Sequence, residues 1–156
     1  MQIKNIKLKN IRSYLDEHIT LPEGTVLLAG DIGSGKSTIL YAIDFALFGI
    51  TKDLNGSSLL RHGAKEGSVE LHFEVDGKDV IIERRLKRGS SVTQDYGILN
   101  MDGVKRELTA VELKQKILEL LHYPQELLTK KSLIYRYTVY TPQDEMKSIL
   151  LADDHD

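Results

Sequence analysis

The sequence predicts an α/β fold of one domain, and three observations carry that prediction. Residues 25–29 form a β-rich apolar run without alternation, as in a strand buried on both faces. The run leads directly into Gly30-Asp31-Ile32-Gly33-Ser34-Gly35-Lys36-Ser37, a complete G-x-x-x-x-G-K-S pattern. Residues 38–48 then take helical spacing, with Ile39, Ile43, Ala46 and Leu47 on one face.

The remaining elements follow in chain order. In residues 2–9, Ile3, Ile6 and Leu8 interleave with Lys4, Lys7 and Lys9, which reads as a strand with one wet face. Residues 14–20 make a second short strand, and Pro22-Glu23-Gly24 a turn. Gly49 stops the helix. Residues 51–67 are polar and glycine-dotted, with a short apolar piece at Leu59-Leu60. Residues 68–75 and 78–86 flank Asp76-Gly77, a strong hairpin signal. Residues 91–109 suggest another hairpin around Asp102-Gly103. Thr109 is placed as the N-cap of a helix through Leu121, with Val111, Leu113, Ile117, Leu118 and Leu121 apolar. Tyr123-Pro124 breaks it, a further helix starts near 124–129, and residues 133–140 read as extended. Thr141-Pro142 opens a last helix through Leu150.

Composition sets limits. At 156 residues the chain is one domain by the usual span of about 100–200 residues. A chain this size buries about 70% of the surface it exposes unfolded, enough for one core. Hydrophobic residues at 41% and charged residues at 28% exclude wholesale disorder. No apolar run is long enough for a membrane span, and no secretory signal is seen. Without cysteine there is no disulfide framework and no thiolate metal site. The five histidines (His18, His62, His72, His122, His155) have no metal-ligand spacing and read as ordinary surface residues. A net charge of −2 excludes nucleic-acid binding by bulk charge, so such binding must come from local patches. Candidates are the basic start (Lys4, Lys7, Lys9, Arg12), the group Arg84, Arg85, Lys87 and Arg88, and the group Lys130, Lys131 and Arg136. The solvated faces of strands and helices are the competing reading of each patch.

The glycine-rich run carries the chemistry. Glycines let the backbone wrap a polyphosphate with its N–H groups pointing inward. The following helix aims its positive end at the same charge. Lys36 is placed to reach the β- and γ-phosphates, and the Ser37 hydroxyl to ligate Mg²⁺. A P-loop nucleotide-binding fold is therefore expected. ATP is favoured over GTP because no Asn-Lys-x-Asp run is present.

Four pieces together resemble one branch of the SMC-like, ABC-class ATPases. They are the opening from Ile3 to Tyr14 with Asn10-Ile11-Arg12-Ser13, and Leu59-Leu60-Arg61-His62-Gly63-Ala64. The others are Ile81-Ile82-Glu83-Arg84-Arg85, and Val139-Tyr140-Thr141-Pro142-Gln143-Asp144-Glu145-Met146. The branch is the Rad-fifty/SbcC family of DNA double-strand-break repair. The resemblance implies an ABC-ATPase-like amino-terminal lobe over residues 1–156, with a β-rich subdomain, a parallel core strand and the P-loop helix. It implies nucleotide binding by Arg12, Ser13, Asp31, Ile32, Gly33, Ser34, Gly35, Lys36, Ser37, Thr38, Arg61 and His62. Lys36 and Gln143 would serve catalysis, and Ser37 and Gln143 would hold Mg²⁺ beside the attacking water. Two departures stand out. Asp31-Ile32 replaces the family's usual Gln-Asn, which puts a carboxylate near a polyphosphate and removes side-chain hydrogen bonds. Pro142 replaces the usual Arg before Gln143.

A Walker B strand, four apolar residues then Asp-Glu, is missing from these residues, as is a Ser-Gly-Gly signature. Val80-Ile81-Ile82-Glu83 comes nearest, and it reads as a hairpin strand. In the family both motifs lie in a carboxy-terminal lobe beyond a coiled coil, which here would begin near residues 143–156. The isolated lobe is then expected to hydrolyse ATP negligibly. The implied partners are that carboxy-terminal lobe, a second head in an ATP-bound homodimer, DNA, and a Mre-eleven/SbcD-type nuclease, with no membrane. ATP and Mg²⁺ are the implied cofactors, with zinc only at a coiled-coil hook outside this chain. The implied compartment is cytoplasmic, nucleoid-associated in a prokaryote. Two alternatives stay open: another SMC-like ATPase (chromosome structure, recombination mediator or anti-phage), and a nucleotide-binding regulatory module that never hydrolyses.

Overall fold

Alternation of polar and apolar residues builds most of the computed structural model, which describes residues 2–20, 35–50 and 55–122. In chain order the elements are β1 Gln2–Ile11, β2 Tyr14–Thr20, α1 Gly35–Phe48, α2 Gly56–Leu59, β3 Glu66–Val75, β4 Lys78–Arg88, β5 Val92–Gln94, β6 Gly97–Met101, β7 Val104–Leu108 and α3 Ala110–Leu120. The seven strands form one sheet in the order β2-β1-β3-β4-β6-β7, with β5 also on β4. Every pairing in it is antiparallel. The expected parallel core strand at 25–29, the turn at 22–24 and all elements expected beyond residue 122 lie outside the described residues.

Turn chemistry fixes the register. Asp76-Gly77 and Asp102-Gly103 all have positive φ (52°, 73°, 51° and 89°). Two positive-φ residues between Val75↔Lys78 and between Met101↔Val104 make the mirror-image turns that match strand twist. The β1 pattern has an irregular step from Ile3 to Ile6, yet both are buried. A bulge between Ile3 and Asn5 explains it, because the extra residue lets both side chains reach the same face. β4 lies inside the sheet, paired on one side with β3 and on the other with β6 and β5. Val80-Ile81-Ile82-Glu83 is therefore a hairpin strand, as its sequence suggested.

One sheet face carries Ile6, Leu8, Val69, Leu71, Phe73, Val80, Ile82 and Leu99, all 1% exposed or less. Helices α1 and α3 cover this face and touch each other. The single apolar stripe expected on α1 understates its burial. Every side chain from Ala42 to Phe48 is buried, Asp44 included, because α1 packs on β1, β3, β4, α2 and α3 at once. The opposite sheet face is polar and laced by ion pairs. Lys4 lies 3.6 Å from Glu74 and 3.5 Å from Asp79, and Lys7 lies 3.4 Å from Glu70. Two histidines read as ordinary surface residues have acidic partners. His72 meets Asp79 at 2.7 Å and His122 meets Asp76 at 2.5 Å, the latter tying the end of α3 to the β3–β4 turn. Among the described residues no helix is long and apolar enough to cross a membrane, and no cluster of three His, Asp or Glu could hold a metal ion.

Thr109 caps α3 as its sequence predicts, with a full capping box. The Thr109 hydroxyl accepts from Glu112 N at 3.1 Å, and the Thr109 N–H donates to the Glu112 carboxylate at 2.9 Å. Hydrogen bonding to the Glu112 carboxyl, first from the Thr109 backbone N–H and then from the Thr109 side chain, holds it below its ordinary value. Thr109→Ala is expected to cost about 1 kcal/mol in urea unfolding. Because the folded pKa of Glu112 is depressed, its contribution is present above 4.5 and is lost as pH falls through the lower, folded value. Wild type and Glu112→Gln should therefore differ in stability at neutral pH and converge in acid. A gap that stays constant down to pH 3 would rule this out.

Candidate functional site

The site is built from three pieces: the start of α1, the β1–β2 turn, and the segment from α2 into residues 61–65. Helix α1 begins at Gly35, so Lys36 and Ser37 occupy its first turn. That turn carries no acidic residue, and the first N–H groups of a helix have no intrahelical acceptor. Its backbone therefore suits a polyphosphate. Only the helical backbone is described for Gly35, Lys36 and Ser37. Asp31, Ile32, Gly33, Ser34 and Gln143 lie outside the described residues. Thr38 is described and is buried on α1.

The β1–β2 turn is two residues long, Arg12-Ser13, between the pair Ile11↔Tyr14. Arg12 has φ 49°, a left-handed conformation that is strained for a residue with a Cβ. The surroundings hold it there. Its N–H donates to Leu59 O at 2.9 Å, and its carbonyl accepts from Arg61 Nη1 at 3.1 Å. The Arg61 N–H donates to Asn10 O at 2.9 Å, and Ile11 bridges to Leu60. The Arg12 guanidinium lies over the Tyr41 ring, 5.3 Å from its centroid. Tyr41 belongs to α1, so this stacking fastens the turn to the helix that follows the glycine-rich run. Arg12, Ser13 and Arg61 thus come together beside α1. His62 is exposed in the next turn.

Arg88 completes this end of the sheet. Its Nε donates to Ala64 O at 2.8 Å and its Nη2 to Arg61 O at 3.4 Å. Among the described residues, Arg12, Arg61 and Arg88 have no carboxylate partner, so the end is cationic. The basic group at 84–88 does not survive as one patch. Arg84, expected among the DNA-contact candidates, is only 2% exposed and faces the core. Strand alternation is the reason: Val80, Ile82, Arg84 and Leu86 share the inward face, while Arg85 and Lys87 point outward. Arg85 is tied to Glu83 at 2.7 Å, and its pKa is raised by that hydrogen bond. Lys87 and Arg88 remain exposed, and Lys130 and Lys131 lie outside the described residues.

Sequence reading missed two residues of this region. Tyr41 gives no motif signal, since an aromatic on an apolar helix reads as core. Arg84 did give one, its place in the period-2 pattern, but grouping by charge hid it.

Comparisons with known proteins show the family and the fold. A family model described as AAA domain matches residues 5–156. A DNA double-strand break repair Rad50 ATPase of Thermoplasma acidophilum is 30% identical over 98% of this chain and 16% of its own length. A protein of the same description from Methanococcus maripaludis is 32% identical over the whole chain and 15% of its own length. The chain thus spans about a sixth of these relatives. Among solved structures, the recombination mediator protein RecF (RecF-ATPrS, RecFOR pathway) matches with a TM-score of 0.52 and 20% identity. That match covers 71% of this chain and 29% of that one, and it shows the fold.

The stacking of Arg12 on Tyr41 is open to a double-mutant cycle on stability. Arg12→Met and Tyr41→Leu should couple by about 0.5–1 kcal/mol, the range for an exposed cation–π pair. Additivity within about 0.3 kcal/mol would show that the two groups do not interact in solution.

Proposed function

The chain belongs to the AAA-domain family, and from that premise we propose that it is the amino-terminal, ATP-binding lobe of an SMC-like ATPase. The observation that carries the reading is the Gly30–Ser37 motif opening into α1 from Gly35, with the Arg12 turn fastened to that helix. The first turn of α1 and the cations Arg12 and Arg61, which have no carboxylate partner among the described residues, fit a polyphosphate. Lys36 would reach its terminal phosphates, and the Ser37 hydroxyl with Gln143 would hold Mg²⁺. When bound, that ion would neutralise charge on the phosphate oxygens.

The finer reading is a DNA clamp for double-strand-break repair. It is supported by two relatives, each named a DNA double-strand break repair ATPase, that match this chain along nearly its whole length. In that reading ATP joins two heads, the missing Asp-Glu and Ser-Gly-Gly motifs come from a carboxy-terminal lobe, and head closure controls a Mre-eleven/SbcD-type nuclease. Lys87 and Arg88 are the described candidates for DNA phosphate contacts, with Lys130 and Lys131.

Wild-type chain should bind a fluorescent ATP analogue in the presence of Mg²⁺. Lys36→Ala should weaken binding at least about tenfold, the loss of one charge-assisted contact to phosphate. Turnover by the 156-residue chain alone should be negligible. Robust hydrolysis that survives Lys36→Ala would sink the reading. DNA affinity that does not fall with added salt would remove the phosphate contacts from it.

A further inference from the structure

Arg84 is a buried cation that the proposed function leaves unused. Its guanidinium is spread over the ends of two helices. Nε donates to Ala46 O at 2.8 Å and Nη2 to Leu47 O at 3.1 Å, both in the last turn of α1. Nη1 lies 3.5 Å from Ala110 O, the first residue of α3. That last turn of α1 has no basic residue of its own, so Arg84 supplies the cation that a helix C-terminus favours.

The pocket around this side chain is built for it. Gly49 ends α1 with φ 78°, and its N–H donates to Phe45 O at 2.8 Å. A Cβ there would sit 3.1 Å from Arg84 Nη1 and 2.7 Å from Gln94 Oε1. Gly97 lies on the other side, where a Cβ would stand 3.8 Å from Arg84 Cγ, 3.1 Å from Glu83 O and 2.5 Å from Leu113 Cδ2. Two glycines thus leave room where the arginine and its neighbours pass. Gln94 Oε1 accepts from the Ile50 N–H at 3.4 Å and closes the chain just past α1.

We propose that Arg84 is a positioning residue for the nucleotide site: its fork fixes α1 along its axis against β4 and α3, and so sets where the first turn of α1 stands relative to the Arg12 turn. The proposal rests on the reading that α1 opens a nucleotide site. A helix is stiff, so a displacement at its last turn is carried to its first. Packing alone would also hold α1 near the sheet. The guanidinium adds a directional constraint, because hydrogen bonds to successive carbonyls fix both the rotation and the axial position of the helix end.

The test uses the full chain and a fluorescent ATP analogue with Mg²⁺, at a temperature where circular dichroism shows each variant folded. Arg84→Met removes the charge and the fork. Arg84→Lys keeps the charge but reaches fewer carbonyls. About a tenfold weakening of nucleotide binding is expected for Arg84→Met, with Arg84→Lys between it and wild type. Both variants binding as tightly as wild type would overturn the proposal and leave Arg84 a packing group. If Arg84→Met does not fold, Arg84→Lys decides alone. Backbone amide exchange in α1 gives a reading without nucleotide. Protection lost in Arg84→Lys as far back as Leu40 and Tyr41 supports positioning, and loss confined to Leu47 and Phe48 overturns it. Wild type failing to bind the analogue defeats the nucleotide reading instead, and the exchange experiment still decides the role of Arg84.

Discussion

A helix that ends inside a protein leaves its last carbonyls without water, and much of this architecture answers that constraint at the end of α1. Leu47 and Phe48 are 0% and 3% exposed, and an unsatisfied buried carbonyl costs about 1–3 kcal/mol. A cation from outside the helix meets the need. Burial alone pushes the Arg84 guanidinium down to about 9, still well above neutral, so the group is charged at physiological pH. An isolated buried charge would be very costly. Carbonyls from two helices and the negative end of α1 offset that cost. Lys114 lies near enough for Arg84 to help lower its pKa, after the larger effect of its own burial, so the second cation adapts to the first.

The sheet makes this arrangement possible. β4 must lie inside the sheet for Arg84 to reach under α1, and it must keep its register for Arg84 rather than Arg85 to face inward. A slip of one residue would place Glu83 and Arg85 in the core. The tight turn at Asp76-Gly77 opposes that slip by pinning β4 against β3, and the turn at Asp102-Gly103 pins β7 against β6 in the same way. The same antiparallel register gathers the pieces of the candidate site. Lys9 pairs with Ser68, and Glu66 with Lys87, so the β1–β2 turn, the 61–65 segment and the end of β4 lie together. Helix α1 crosses beneath, with Tyr41 toward the Arg12 turn and Ala46 toward Arg84.

What the sequence made legible follows from how local each signal is. The N-cap at Thr109, both Asp-Gly turns and the strands beside them depend on residues a few positions apart, and all stand where expected. The stop at Gly49 was equally local, yet part of its reason was not: the Cβ it lacks would meet Gln94, which is distant in sequence. Arg84 shows the limit most clearly. Four basic residues within 84–88 read as one surface because charge was counted along the chain, whereas a strand sorts neighbours to opposite faces. Once sorted, Arg84 is core, Arg85 is paired with Glu83, and only Lys87 and Arg88 are left to meet a phosphate backbone. Tyr41 was illegible for the opposite reason. Nothing in its helix marks it, and its meaning lies in an arginine from a different element.

Arg84 could in principle act on the far end of α1 through space or through structure, and magnitudes decide between them. At 14 residues and 1.5 Å per residue, α1 is about 21 Å long. Two unit charges at that distance interact by about 0.8 kcal/mol at an effective dielectric of about 20. Salt screens this further, since the Debye length is about 10 Å at 0.1 M. What remains is mechanical. Breaking the fork would leave carbonyls dry at one end, at about 1–3 kcal/mol each, and the helix would shift to recover partners for them. A shift along the axis moves every N–H of the first turn together, while the Arg12 turn stays with β1 and α2. The alignment of those two pieces is therefore set by the Arg12–Tyr41 stacking together with the fork at the opposite end of the helix.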